Sequence, residues 1–133
     1  METAAAAVND IWNEYASSLN SGNVDRWISL WTEDGVQMPP GLPSVVGKGQ
    51  IRATMKAILD RFAFDMAVTP HEVREVGDWA FSRGIFKATM TPREGGKTVY
   101  VDGKYMTILQ RQADGSWKIH RDIFNSNTPP NED

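Results

Sequence analysis

The sequence predicts an α+β fold: three helices, then a four-stranded antiparallel meander, with one short strand between the second and third helices. Three observations lead there. Apolar residues recur at helical spacing from Val8 to about Phe62. The second half loses that spacing and is cut into long segments by Gly77-Asp78, by Arg93-Glu94-Gly95-Gly96 and by Asp114-Gly115. The chain has 133 residues, 41% of them hydrophobic, which suffices for one conventional core without staples.

In the first helix Val8, Trp12, Tyr15 and Leu19 make one apolar stripe, with Thr3 as N-cap and Gly22 as stop. A short second helix follows. Asn23 caps it, Asp25 sits in its first turn, and Val24, Trp27, Ile28 and Trp31 form its buried face. Thr32-Glu33-Asp34-Gly35 breaks that helix, and Val36-Gln37-Met38 is a short strand ended by Pro39-Pro40-Gly41. The stretch from Gly41 to Gly49 reads as an irregular loop. The third helix runs from about Gln50 to Phe62 on the stripe Ile51, Met55, Ile58, Leu59 and Phe62. Four strands follow at about 64–76, 79–91, 97–112 and 116–126. Asp114-Gly115 predicts a hairpin turn with Gly115 at positive φ. One domain spans 1–133, with an ordered core of about 8–126 and a polar, frayed tail over 127–133.

Composition excludes several function classes. The chain holds 14 basic and 17 acidic residues, for a net charge of −3, and has no basic run. It therefore lacks the electrostatic footprint of a nucleic-acid binder. It has no cysteine, so disulfides, thiol nucleophiles and Cys-ligated metal are out. No apolar stretch reaches the roughly 20 residues of a membrane span. The acidic start, Met1-Glu2-Thr3-Ala4, lacks the basic region of a signal peptide. A cytoplasmic protein is the expectation.

The last hairpin assigns faces. With Gln112 opposite Ser116, strict alternation puts Tyr105, Thr107, Leu109 and Arg111 on one face with Trp117, Ile119, Arg121, Ile123 and Asn125. Met106 and Ile108 then share the other face with His120, Asp122 and Phe124. Both faces carry large apolar residues, so one covers the helices and the other meets a partner, most simply a second copy.

Several segments together resemble the nuclear transport factor 2-like superfamily, which holds ketosteroid isomerase, SnoaL-like polyketide cyclases and the calcium/calmodulin-dependent kinase II association domain. They are Trp27-x-x-Leu30-Trp31-Thr32-Glu33-Asp34-Gly35-Val36-x-Met38-Pro39-Pro40-Gly41, Gly47-Lys48-x-x-Ile51, Trp79-Ala80 with Gly84, and Gly103-Lys104-Tyr105. The C-terminal match is Asp114-Gly115-Ser116-Trp117-Lys118-Ile119-x-Arg121-Asp122-Ile123-x-Asn125-Ser126. The likeness is greatest to small bacterial SnoaL-like proteins and covers about residues 8–126. It implies a cone: a curved, mixed, mostly antiparallel sheet wrapped around three N-terminal helices. A hydrophobic pocket at the open end and a homodimer through the sheet are further implications. Ketosteroid isomerase chemistry needs a carboxylate base and two donors to an enolate oxygen. Tyr15 falls where that family's tyrosine donor lies. The base position, in Gln37-Met38-Pro39-Pro40, has no carboxylate, and neither has the second donor position near Met106-Thr107. One role of three is filled.

The remaining candidates are few. His120 and Asp122, two apart on a strand, point the same way under strict alternation and offer a base with its orienter, or a polar pair at an interface. A metal would need a third ligand. His71-Glu72, on the first long strand, has no helix-spaced partner, so no metal is expected. Gly41 to Gly49 fails as a phosphate loop, because five residues separate Gly41 from Gly47 and Gly49 stands where Ser or Thr would bind magnesium. No Gly-x-Ser-x-Gly elbow occurs, and no cofactor is expected. The expected ligand is a small, mostly apolar molecule with a carbonyl or carboxylate, bound by Tyr15, Trp12, Trp31, Met38, Met55, Tyr105, Arg121 and Asn125. The catalytic candidates are Tyr15, Arg121, Asp122 and His120. The expected function is proton transfer on such a substrate, of the cyclase or isomerase type; the alternative is a ligand-binding or dimerisation module without chemistry.

Overall fold

The computed structural model describes residues 3–129, so the end of the expected polar tail, 130–133, lies outside the described residues. The helices are α1 (Ala4–Asn20), α2 (Val24–Ile28) and α3 (Lys48–Arg61). The strands are β1 (Trp31–Met38), β2 (Val45–Val46), β3 (Phe62–Val76), β4 (Trp79–Pro92), β5 (Val99–Arg111) and β6 (Trp117–Ser126). They form one sheet in the order β2-β1-β6-β5-β4-β3, antiparallel except for the β1–β6 pair. This is the expected α+β arrangement with one added strand, because Val45-Val46 pairs with Val36-Gln37 inside the segment read as an irregular loop.

Local chemistry explains the element ends. Thr3 accepts from the Ala6 N–H at 3.1 Å and Asn23 from the Arg26 N–H at 3.0 Å, so each helix start has one orphan donor satisfied. Gly22 stops α1 at φ 68 and Gly115 turns the last hairpin at φ 87. The Asp114 carboxylate accepts from both the backbone and the hydroxyl of Ser116 in that turn, and these bonds hold its carboxyl below the usual range. Trp31 departs from expectation. It opens β1 instead of closing the second helix, which ends at Ile28. Its indole still packs on Trp27, with ring centroids 5.4 Å apart; the apolar stripe continues in space although the helix does not.

The core is an aromatic row inside the sheet's concave face. Trp12, Tyr15, Trp27 and Trp31 touch in sequence, and Tyr105 closes on Trp12 at 4.7 Å. The sheet is bent hard enough to need glycine on that face. A Cβ on Gly84 would lie 2.2 Å from the Thr69 carbonyl oxygen, and one on Gly103 would lie 2.0 Å from that of Asn125. Edge strand β3 is tied to the end of α1 by Asn20, whose amide exchanges hydrogen bonds with the Met66 backbone at 2.7 and 3.0 Å.

Two bulges sharpen the curvature, and the chain's two histidines occupy them. His71 has no opposite number between the Pro70–Gly84 and Glu72–Arg83 pairs. His120 has none between Leu109–Ile119 and Ile108–Arg121. A bulge shifts the two-residue alternation by one, so every residue beyond it changes face. The expected faces therefore hold only as far as Ile119. Asp122 and Phe124 turn inward, opposite Thr107 and Tyr105, while Arg121, Ile123 and Asn125 turn outward, opposite Ile108, Met106 and Lys104. The outer face carries Trp79, Met106, Ile108 and Ile123, each more than two-fifths exposed. Arg83, opposite Met106, lies outward and pairs with Glu72 at 3.1 Å.

Candidate functional site

A cavity of about 410 Å³ opens between the helices and the concave face of the sheet. Its walls are aromatic on one side, with Trp12, Phe86 and Phe124, and adaptable on the other, where Met55, Met66 and Met90 add thioethers. The turn after β1, with Pro39, Pro40 and Leu42, forms part of its border. The polar groups are few: Tyr15 from α1, Gln37 from β1 and Asp122 from β6. No Lys, Arg or His is among the described residues lining it.

Asp122 is the one carboxylate among the described lining residues. It is 3% exposed. One carboxylate oxygen accepts from the Thr107 hydroxyl at 2.8 Å, and that hydroxyl is wholly buried. The other oxygen has no protein donor among the described residues. Removal from water disfavours the charged form and pushes the carboxyl up to about 6, against the partial relief that Thr107 supplies. At neutral pH the group is mostly ionised and more basic than an ordinary carboxylate. Those are the properties of a general base.

Tyr15 lines the same space. Burial, and next the nearby Asp122 charge, raise its phenol well above the usual 10, while Trp27 and Gln37 beside it act in the opposite sense. It therefore stays protonated and can donate its proton to an acceptor in the cavity. Tyr105 lines the cavity with its ring. Its hydroxyl lies over Gly84, without a hydrogen-bond partner among the described residues, and burial pushes it up to about 12. The Trp12 indole N–H is spent on Ser82 at 3.1 Å.

Of the residues expected to bind a ligand, Trp12, Tyr15, Met55 and Tyr105 border the cavity. Four do not. Trp31 is wholly buried in the core behind Trp27. Met38 alternates outward from Gln37 and lies opposite Ile123. Arg121 and Asn125 are turned out by the bulge at His120. Arg121 also makes no internal ion pair with Glu33 or Asp34. Its guanidinium donates to the backbone carbonyls of Asp34 and His120 at 2.9 and 2.8 Å, and so clamps β1 to the bulge. His120 and Asp122 do not share a face. The His120 ring meets Thr32 Oγ1 at 3.0 Å and packs edge-on to Trp79, and burial lowers its basicity. Gln37, Phe86 and Phe124 are among the lining residues that the sequence reading did not assign to the site, as are Met66 and Met90. Only Phe124 left a trace in the sequence, as part of the alternation Asp122-x-Phe124 that the bulge shifts.

The SnoaL-like domain model matches residues 12–120. No curated protein matches the chain. Among solved structures, a ketosteroid isomerase-like protein from Erwinia carotovora atroseptica is 29% identical, with a TM-score of 0.83, over 93% of this chain and 96% of its own. A nuclear transport factor 2-like superfamily protein from Salmonella enterica serovar Typhimurium is 14% identical, with a TM-score of 0.82, over 98% and 97% of the two chains. A proposed scytalone dehydratase from Novosphingobium aromaticivorans is 16% identical, with a TM-score of 0.78, over 92% and 83%. The last two likenesses are of fold.

Proposed function

The chain belongs to the SnoaL-like domain family, with the nuclear transport factor 2-like fold, and we propose that it moves a proton on a small, mostly apolar carbonyl compound held in the cone. The observation that carries this reading is Asp122, a single carboxylate in an apolar cavity, fixed through one oxygen by Thr107 and with no donor to the other among the described residues. Its carboxyl at about 6 leaves it ionised at pH 7 and a stronger base than in water. A proton taken from the carbon next to a carbonyl leaves an enolate oxygen that needs a donor, and the protonated Tyr15 phenol faces the same cavity. The two groups belong to elements at opposite ends of the chain, and both line the cavity. The resemblance to a ketosteroid isomerase-like protein supports the class of chemistry. The proposed base, however, is on the last strand and not at the end of the first, where Gln37 stands.

Deuterium exchange tests it. The full chain is incubated in D2O with 2-tetralone, a neutral bicyclic ketone, and incorporation next to the carbonyl is followed by NMR. Exchange above the buffer rate that disappears in Asp122→Asn is the expected result. Exchange no faster than buffer with wild type sinks the proposal.

A second reading, a ligand-binding or association module, is favoured by one observation. The outer sheet face leaves Trp79, Met106, Ile108 and Ile123 in water, and large apolar side chains grouped on one exposed face mark an interaction site. We propose that two copies pair through it, whichever reading of the pocket holds. Binding of the ketone without exchange would select the module. No helix among the described residues is long and apolar enough to cross a membrane.

A further inference from the structure

We infer that the cavity excludes anions: its occupant presents an uncharged acceptor, a ketone, ester or lactone, and Asp122 is the residue that turns away a carboxylate or phosphate of the same shape. The inference rests on the proton-transfer reading for the identity of the site, and it decides between the carbonyl and the carboxylate that the sequence left open. The cation that would have received a carboxylate is on the wrong side of the sheet. Arg121 faces outward and spends its guanidinium on the carbonyls of Asp34 and His120. No other Lys, Arg or His is among the described lining residues. The charge inside is negative. Asp122 has one oxygen held by Thr107, and apolar walls screen the other poorly. A ligand carboxylate about 6 Å from it, at an effective dielectric of about 20, would bind roughly a hundredfold more weakly than its neutral counterpart. Tyr15 holds its proton and can donate it, and the Gln37 amide adds two N–H donors beside its acceptor oxygen. Donors sharing the cavity with one carboxylate suit a ligand that accepts.

The test compares three probes on one ring system, by equilibrium dialysis with the full chain at pH 8. They are 2-acetylnaphthalene, 2-naphthoate and 2-naphthylmethylamine. The ketone and the carboxylate differ by a methyl group against an oxygen anion. Wild type is expected to bind the ketone at least about thirtyfold more tightly than the naphthoate, a ratio that needs no variant. Asp122→Asn is expected to bind the naphthoate at least about tenfold better than wild type does, with the ketone changed less than about threefold. Equal or tighter binding of naphthoate by wild type overturns the inference. Tighter binding of the amine than of the ketone overturns it in favour of a cation site, and no binding of any probe at millimolar concentration overturns it as well. The two claims fail separately. A lost ratio with deuterium exchange intact refutes anion exclusion alone, whereas an intact ratio without exchange refutes proton transfer alone.

Discussion

Replacing Asp122 by Asn should make the protein more stable at pH 8 while removing its chemistry. The carboxyl rises from 3.8 to about 6 because the fold buries it. Each pH unit of that displacement is worth about 1.4 kcal/mol, so an ionised Asp122 costs the folded state about 3 kcal/mol above pH 7. The sign follows from where the proton goes. Between about pH 4 and pH 6 the folded chain keeps a proton that the unfolded chain has released, and that proton stabilises the fold. The contribution is complete below about pH 4 and gone above about pH 6. Asn removes the charge at every pH and keeps an oxygen to accept from Thr107. Its NH2 group needs partners in an apolar cavity, which returns about 1 kcal/mol. The net expectation is a gain of about 1–3 kcal/mol at pH 8, or about 3–10 °C in Tm for a chain of this size. The gain should shrink as the pH falls and reverse to a loss of about 1 kcal/mol near pH 4, where Asp122 is protonated and only the NH2 cost remains. Thermal unfolding of both proteins from pH 4 to pH 8 measures it. A variant no more stable than wild type at pH 8, or one whose advantage is the same at both ends of the range, refutes the burial argument for Asp122.

Thr107→Val removes the one donor to the carboxylate among the described residues. It should cost about 1.5–3 kcal/mol at pH 8 and move the pH at which deuterium exchange switches on upward from about 6; an unmoved profile would show that Thr107 does not set the basicity of Asp122. Ile108→Lys puts a charge into the exposed outer face and should turn a dimer into a monomer by sedimentation, whereas a wild type that already sediments as a monomer at micromolar concentration refutes pairing through the sheet. Gly84→Ala would drive a Cβ to 2.2 Å from the Thr69 carbonyl oxygen, and should cost about 3 kcal/mol or more because the contact is backbone and cannot move cheaply; denaturant unfolding with wild-type stability would mean that the sheet is less bent there.

Local rules made the element order legible. Caps, stripes and turn signals act over a few residues, so Thr3, Asn23 and Gly115 are readable one at a time. Tertiary pairing decided the rest. Trp31 continues the apolar spacing of Val24, Trp27 and Ile28, yet leaves the helix because its backbone pairs with Ile119. Val45-Val46 is too short to announce itself as a strand and exists because Val36-Gln37 lies alongside. A short segment has little propensity of its own, and the sheet edge supplies the hydrogen bonds that define it.

The site was less legible than the fold, and one residue accounts for most of the difference. Strict alternation from the Gln112–Ser116 pair puts Arg121 and Asn125 in the cone and Asp122 outside. The bulge at His120 reverses all three. Nothing within β6 signals a bulge, since His120 fits a strand as well as its neighbours do. The contacts that accompany the bulge come from elsewhere: Thr32 on the His120 ring, and the Asp34 carbonyl on Arg121. Both lie in the stretch of β1 where its pairing with β6 breaks between Trp31 and Val36. Two irregularities, far apart in the sequence, thus meet at one place on the sheet. Regular strands there would present a guanidinium to the cavity, and the irregular ones present a carboxylate. The chemistry of the pocket therefore depends on a backbone register that residue types alone do not encode.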